Sequence, residues 1–115
     1  MIGLSSEAKD QLLLVLAAEA AAVGLFLGDE ELSDPRYERV PVQFSEPQGE
    51  NGNRFIENRN ELRFSDMGRD HRVDHWGIFD TAGRLIALYP LKASRDVVAD
   101  DNAVFREGRI TLEVN

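Results

Sequence analysis

The histidines are the first residues of this chain that could bind a metal ion. His71 and His75 stand four residues apart, the spacing that brings two histidines to one face of a helix, where they can share a metal. In a β-strand this spacing separates them by about 13 Å, because each residue advances roughly 3.3 Å. The surrounding residues favour a strand. We therefore expect His75 to be a partly buried packing residue and His71 to lie at the surface.

Acidic residues form two further groups that could supply oxygen ligands for calcium. Residues 29–31 are followed by Asp34, and residues 100–102 form a shorter run. Neither run follows the twelve-residue calcium loop, with its central glycine and terminal glutamate. We interpret both runs as solvated loops, and the sequence predicts no metal site and no cofactor.

The sequence contains none of the motifs that assemble a reactive site. It has no nucleophile elbow, phosphate-binding loop or dinucleotide fingerprint, and no cysteine to act as a nucleophile or zinc ligand. Catalytic carboxylate pairs are not recognisable, because among 21 acidic residues almost any spacing occurs by chance. The sequence therefore predicts a protein that is not an enzyme and has no catalytic residues.

Composition and charge limit the partners. A length of 115 residues fits one domain over 1–115, and 43% hydrophobic with 30% charged residues is a globular balance. The formal net charge of -8 repels phosphate backbones and anionic lipid headgroups. The apolar run at residues 12–27 is interrupted by Glu19 and is shorter than the roughly 20 residues that cross a bilayer. Neither nucleic acid nor membrane insertion is expected.

The N-terminal segment predicts a helix from about Ser6 to about Ala20, capped by Ser5 or Ser6. One broad apolar stripe along it consists of Leu12, Leu13, Leu16, Ala17 and Ala20. Leu14, Val15 and Ala18 extend the apolar surface almost around the helix. Such a helix requires contact on several sides. We expect it to mediate docking or oligomerisation, although a deeply covered core helix fits the pattern equally well.

The rest of the chain shows the short alternating runs of β-strands. Val40, Val42 and Phe44 alternate with polar residues, and Pro41 indicates an edge strand or a bulge. Further strands are predicted at residues 25–27, 55–56, 62–64, 73–80, 85–89, 104–105 and 110–114. The loop at 29–35 separates the first strand from the second. Six to eight short strands after one helix predict a mainly β fold, an antiparallel sandwich over about 23–115 behind a helix over about 5–20.

Glycines mark the expected turns between these strands. Asn51-Gly52 indicates a tight reversal, and Gly83 closes a hairpin between the strands at 73–80 and 85–89. Gly108 is expected to supply the positive φ of a second hairpin, formed by the last two strands. Trp76, the single tryptophan, stands beside Gly77, an arrangement typical of close packing in a sheet. We interpret Trp76 as a core residue rather than a sugar-stacking platform.

The order of several residues resembles small bacteriophage proteins of the tail fibre or minor tail type. The residues that carry this resemblance are Tyr37, Val40, Phe44, Phe64, the string His75-Trp76-Gly77-Ile78-Phe79-Asp80, Phe105 and Gly108. The likeness covers nearly the whole length, and the string around Trp76 is its most specific part. One departure is the highly charged stretch between Phe64 and His75, which contains Asp66, Arg69, Asp70 and Arg72.

The resemblance implies a β-sandwich without catalysis, located in the virion after assembly in the host cytoplasm, whose partners are other virion proteins. An apolar helix and a small core both favour a homo-oligomer, and a trimer would share this burial. Two other interpretations stay open at this point. The protein could decorate the capsid of the phage head, where multiple contacts stabilise the shell. It could also be a calcium-assisted carbohydrate-binding sandwich that uses Trp76.

Overall fold

The computed structural model describes residues 5–50, 53–64 and 67–114, and these residues form one helix and ten strands. The elements are α1 (Ser6–Glu19), β1 (Ala22–Leu27), β2 (Glu30–Glu31), β3 (Val40–Pro41), β4 (Gln48–Glu50), β5 (Asn53–Glu57), β6 (Leu62–Phe64), β7 (His71–Phe79), β8 (Leu85–Val97), β9 (Ala103–Phe105) and β10 (Thr111–Val114). The predicted class, mainly β with one N-terminal helix, is confirmed.

The strands of the described chain form three open antiparallel sheets. The largest has the order β2-β1-β7-β8, with β3 also paired to β1. The second has the order β10-β5-β4, and the third pairs β6 with β9. There are more strands than predicted because short polar segments also pair: β2 lies within the expected acidic loop. In addition, β8 continues past the predicted end at Tyr89 to Val97.

The predicted hairpin between β7 and β8 is present, and its turn is built by local polar contacts. Oδ1 of Asp80 accepts hydrogen bonds from the backbone amides of Ala82 at 3.0 Å and Arg84 at 2.9 Å. Gly83 adopts a φ of 80°, a region that glycine enters without the steric cost of a side chain. The turn is therefore specified by residues within five positions of one another.

The second predicted hairpin, between β9 and β10, is wrong. β9 pairs with β6 and β10 pairs with β5, so the segment between them passes from one sheet to another. Gly108 does have a positive φ, of 79°, and its amide donates to the Asn58 carbonyl at 3.0 Å. The side chain of Asn58 holds this crossing through the Arg106 carbonyl and the Ile110 amide, each at 2.9 Å. A distant side chain therefore replaces the hairpin contacts that we expected.

Two other sequence-based expectations concern single turns and strands. Asn51 and Gly52, the predicted tight reversal, lie outside the described residues, as does Asp66. The flanking strands β4 and β5 pair antiparallel, with Glu50 opposite Asn53. The predicted strand through Val40 and Phe44 is shorter, because only Val40–Pro41 joins the ladder. Within the described ranges β3 pairs with β1 alone, so Pro41 occupies an edge strand.

The core lies where the helix and all three sheets meet. It consists of Leu13, Val23, Leu25, Val42, Phe44, Ile56, Leu62, Phe64, Met67, Val73, Trp76, Ile78, Val97, Ala103, Phe105, Ile110 and Leu112. Trp76 stacks on Tyr89 with ring centroids 5.6 Å apart and lies 6.3 Å from Phe44. α1 contacts β5 and β10, which fixes one of its sides against the core.

Candidate assembly surface

The ends of α1 are set by hydrogen bonds from its own sequence. Oγ of Ser5 accepts from the Ala8 amide at 3.1 Å, which satisfies one of the free amides at the helix start. At the other end the Ala20 amide donates to the Leu16 carbonyl at 2.9 Å, and the backbone then becomes extended. The helix thus ends one residue before the expected position.

The inner side of α1 is committed to the chain's own core. Leu13 is completely buried, and Leu16, Ala17 and Ala20 pack against the same cluster. These four residues belong to the stripe predicted for assembly, and their contacts with the core leave little of them for another subunit. Leu12, the fifth residue of that stripe, stands at its margin and is 47% exposed.

A bidentate ion pair holds α1 in this rotation. Nε of Arg54, on β5, lies 2.7 Å from Oδ1 of Asp10, and Nη2 lies 3.1 Å from Oδ2. The hydrogen bond to Asp10 raises the pKa of the Arg54 guanidinium above its ordinary value. The same guanidinium donates to the carbonyls of Pro47 and Gly49. Arg54 therefore joins the helix to both strands of the β4–β5 hairpin.

The outer face of α1, which we define as Leu12, Leu14, Val15 and Ala18, points away from the core. Leu14 is 46% exposed and Val15 is 60% exposed. At 3.6 residues per turn, Leu14 and Ala18 are neighbours, as are Val15 and Ala18, so these side chains form one continuous patch. Ordinary surface helices place charged or polar residues at such positions. This patch is the main apolar surface that α1 exposes.

On the far side of the large sheet, a polar network takes the space above a glycine. The hydroxyl of Tyr37 donates to Oε2 of Glu31 at 2.5 Å and accepts from the Leu25 amide at 3.1 Å. Arg39 donates two hydrogen bonds of 2.9 Å to Glu31. A Cβ on Gly24 would lie 2.6 Å from the Tyr37 hydroxyl, so the network requires glycine there.

Burial and hydrogen bonding shift the pKa values of both Tyr37 and Glu31 in this network. Burial, together with the hydrogen bond to Glu31, raises the pKa of Tyr37 well above its ordinary range. Burial alone would also raise the pKa of Glu31, but hydrogen bonds from Arg39 and Tyr37 outweigh it and lower the pKa. The network therefore holds an ionised carboxylate between a neutral phenol and a guanidinium, an arrangement that holds strands together.

The expectation that His71 lies at the surface is wrong. Its side chain is 10% exposed, and Nε2 lies 2.8 Å from Oδ2 of Asp34, whose side chain is fully covered. Asp34 also accepts hydrogen bonds from the backbone amides of Arg36 at 2.9 Å and Gly68 at 3.1 Å. The hydrogen bond from His71, supported by these amides, holds the pKa of Asp34 well below its ordinary value. The acidic segment is therefore not simply solvated, because Asp34 anchors it.

His75 is half-buried and faces a different carboxylate. Its Nδ1 lies 2.7 Å from Oδ1 of Asp74, which also accepts from the Gly28 amide at 2.7 Å. These contacts lower the pKa of Asp74. Among the residues whose positions the structure defines, no three histidine, aspartate or glutamate side chains converge as metal ligands. Within the same ranges, no helix has the length and apolar character needed to cross a bilayer.

The sequence matches the protein family described as podophage GP4 fiber I protein gp80 over residues 15–113. The chain belongs to this phage tail fibre family. The match begins within α1 and ends within β10, so it includes strands of all three sheets and every core residue except Leu13. No curated protein matches the sequence. The fibre protein is therefore a structural component of the virion, not an enzyme, and it associates with other virion proteins.

Most residues that carried the phage resemblance lie inside the fibre protein. Phe44, Phe64, Trp76, Gly77, Ile78, Phe79, Asp80 and Phe105 are buried, whereas Tyr37, Val40, His75 and Gly108 are half-buried. Trp76 is only 2% exposed, so its ring is not available as a sugar-stacking platform. The carbohydrate-binding interpretation loses its main residue, and the family match favours the fibre over a decoration of the capsid.

Asn58 is the structurally important residue that the sequence analysis missed. It is 1% exposed, and it joins the β9–β10 crossing to β5 through both its amide nitrogen and its oxygen. A polar amide directly after a β-strand run usually indicates a turn. Asn58 also stands between the charged residues Glu57 and Arg59, so the sequence does not indicate that its side chain is buried. The signal available in the sequence is only that an asparagine follows Phe55 and Ile56 within the predicted strand region.

Proposed function

We propose that the fibre protein self-associates through the outer face of α1 as a cyclic homo-oligomer, with a trimer as the expected state. The observation that carries this proposal is the exposure of Leu12, Leu14 and Val15, each close to or above one half, on a rigidly held helix. Fully burying such a side chain contributes about 1.5–3 kcal/mol, so the patch favours association once it is covered. The family match supports the proposal, because a fibre protein functions in an assembly.

Helix and strands are also proposed to act as one domain over residues 1–115. Leu13 of α1 belongs to the same buried cluster as Trp76 of the large sheet, Ile56 of the second sheet and Phe64 of the third. A helix that shares the core of its subunit cannot leave it to exchange with another subunit without exposing Leu13. The oligomer should therefore form from preformed subunits, by contact between their outer helix faces.

The experiment that tests this function compares two matched valine variants. Val15→Asp places a charge in the outer face of α1, whereas Val98→Asp places the same charge at a valine that is 51% exposed, beyond the end of β8. Covering an unpaired carboxylate with a second subunit is costly, so Val15→Asp should yield monomers. Valine and aspartate have similar helix propensities, so α1 itself should persist.

Sedimentation velocity over a range of concentrations gives the mass of each variant, and far-ultraviolet circular dichroism reports its fold. We expect the wild type and Val98→Asp to sediment as the same oligomer, and Val15→Asp as a folded monomer. A wild type that stays monomeric at every concentration would contradict the proposal. An assembled Val15→Asp protein would also contradict it. Leu16→Asp would be a poorer test, because Leu16 packs against the subunit's own core.

A further inference from the structure

A cleft outside α1 lies between the unpaired edges of three strands. It consists of two adjoining cavities of about 380 Å³ and 280 Å³, which share Leu91 and Arg109 in their walls. Among the strands that the structure describes, β8 is the last of the large sheet, β10 is the last of the second sheet, and β9 pairs with β6 alone. Each of these strands contributes residues to the walls, so we call this region the edge cleft.

The backbone of β10 faces the edge cleft with free hydrogen-bonding groups. The Ile110 carbonyl accepts from the Asn58 amide at 3.1 Å, so the backbone groups of Ile110 point toward β5. In an antiparallel ladder the direction of these groups alternates, which turns the amides and carbonyls of Thr111 and Glu113 away from β5. Both residues line the cleft. An unpaired edge of this kind is a template for another strand.

A large bulge in β8 supplies part of the wall of the edge cleft. His75 is paired with Pro90 and Val73 with Arg95, so the single residue Asp74 faces residues 91–94. The extra residues bend the strand outward and turn Leu91 and Ala93 into the cleft. The bulge thus gives the cleft an apolar wall opposite a free strand edge.

Three arginines and one carboxylate, that of Glu113, line the edge cleft, so its formal charge is opposite to that of the protein as a whole. Arg95, Arg106 and Arg109 line it, and across the described part of the chain none of them forms an ion pair with a carboxylate. Arg95 donates to the Val104 carbonyl at 2.7 Å and lies over the Phe105 ring, 4.6 Å from its centroid. Arg106 and Arg109 are exposed at the rim. On a chain with a formal charge of -8, this is a local basic site.

We propose that the edge cleft binds an extended acidic segment of a partner polypeptide, which pairs with β10 as an added strand. Such a strand would use the backbone groups of Thr111 and Glu113 for affinity and would place carboxylates near Arg106 and Arg109. Charge complementarity selects this occupant, because unpaired guanidinium groups attract carboxylates, while a phosphate backbone is repelled by the rest of the acidic chain. This surface is separate from the outer face of α1 and goes beyond the proposed self-association.

Trp76 provides the readout, because it is the single tryptophan and lies in the wall of the cleft beside Tyr89. The probe is a short capped peptide of alternating glutamate and valine, titrated into the full-length protein while tryptophan fluorescence is recorded. The control peptides are alternating lysine and valine, and the acidic peptide with every internal backbone nitrogen N-methylated, which cannot donate strand hydrogen bonds from either edge. We expect saturable binding of the acidic peptide and slower amide exchange at Thr111.

Two matched arginine variants test the charge requirement. Arg109→Glu should weaken binding of the acidic peptide by at least about fivefold, as expected for reversal of a rim charge. Arg59→Glu, at an exposed arginine outside the cleft, should leave it unchanged. Leu14→Asp should bind as the wild type does, so failure of self-association would not affect this result.

Several outcomes would overturn the added-strand proposal. Equal binding of the lysine peptide would remove the charge argument, and equal binding of the N-methylated peptide would remove strand pairing. If inorganic phosphate alone reproduces the fluorescence change and displaces the peptide, the cleft is a simple anion site. If Arg109→Glu abolishes self-association in the absence of peptide, the occupant is a second copy of this chain.

Discussion

Arg54 and Asp10 form a bidentate ion pair, with nitrogen–oxygen distances of 2.7 Å and 3.1 Å, that joins β5 to α1. The pair contributes to which side of the helix faces outward. Planar guanidinium and carboxylate groups fix orientation as well as distance, so this contact favours one rotation of α1 about its axis. The exposed position of Leu14 and Val15 follows from this contact together with the burial of Leu13.

The first prediction concerns this ion pair. Asp10→Asn should lower the melting temperature by roughly 3 °C, because the uncharged amide cannot pair with the guanidinium in the same way. It should also weaken self-association, since the outer face of α1 is held less firmly. Differential scanning calorimetry and sedimentation measure the two effects. Asp29→Asn, at an exposed aspartate of the β1–β2 turn, is the control and should change neither quantity.

The second prediction concerns the buried amide that replaces the expected hairpin. Asn58→Ala removes hydrogen bonds to the Arg106 carbonyl and the Ile110 amide and leaves those groups without partners. Each unsatisfied buried group costs about 1–3 kcal/mol, so we expect a loss of roughly 3 kcal/mol in the free energy of unfolding. Urea denaturation tests this value, with Asn102→Ala at an exposed asparagine as the control. Equal stability of both variants would show that the crossing holds without Asn58.

The third prediction concerns acid sensitivity. The pKa of Asp34 is held below its unfolded value by the hydrogen bond from His71 and by backbone amides. A carboxyl group with a lowered pKa in the folded state contributes stability above its unfolded pKa of about 3.9, and loses it as the pH falls further. The wild type should therefore lose more stability below about pH 4 than Asp34→Asn does.

Urea midpoints measured between neutral pH and acid, for the wild type and Asp34→Asn, provide this comparison. Asp29→Asn should follow the wild type, because Asp29 lacks the His71 contact. The urea midpoints of the wild type and Asp34→Asn should differ at neutral pH and converge in acid. Curves that stay parallel over the whole range would mean that the Asp34–His71 contact is not linked to folding.

The fourth prediction concerns the glycine after the single tryptophan. A Cβ at Gly77 would lie 2.6 Å from the Phe26 ring and 2.7 Å from Cδ1 of Leu85. Overpacking of this kind typically costs 1–3 kcal/mol, so Gly77→Ala should unfold at a lower temperature. Adding Leu85→Ala should restore part of the loss by removing one clash. Gly68→Ala, whose Cβ would meet nothing closer than 3.5 Å, is the control and should melt near the wild type.

Local patterns account for the parts of the fold that were predicted correctly. The cap at Ser5 and the helix after it depend on contacts within one turn. The β7–β8 hairpin depends on Asp80 and Gly83, which act on their immediate neighbours. The burial of Trp76 was predicted from Gly77 directly beside it. In each case the interacting groups are close in the sequence, so residue type and spacing are sufficient.

Contacts between distant residues account for the errors. Asp34 covers His71 from 37 positions away, and Asn58 holds the Ile110 amide from 52 positions away. No periodic pattern in the sequence predicts either of these contacts. The bulge in β8 also depends on another part of the chain, because it is defined by the register with β7 and not by a residue in β8 itself.

The amino-acid sequence alone determined that this protein is mainly β with one N-terminal helix, that it lacks the motifs of an enzyme, and that it resembles phage tail fibre proteins. Hydrophobic alternation and turn residues act between neighbours in the sequence, so their effect does not depend on the tertiary fold. Only the tertiary structure decided which side of α1 stays exposed, which strands pair with β9 and β10, and where three strand edges meet. These features arise from long-range packing, in which each strand edge pairs with whichever neighbour the shared core brings beside it.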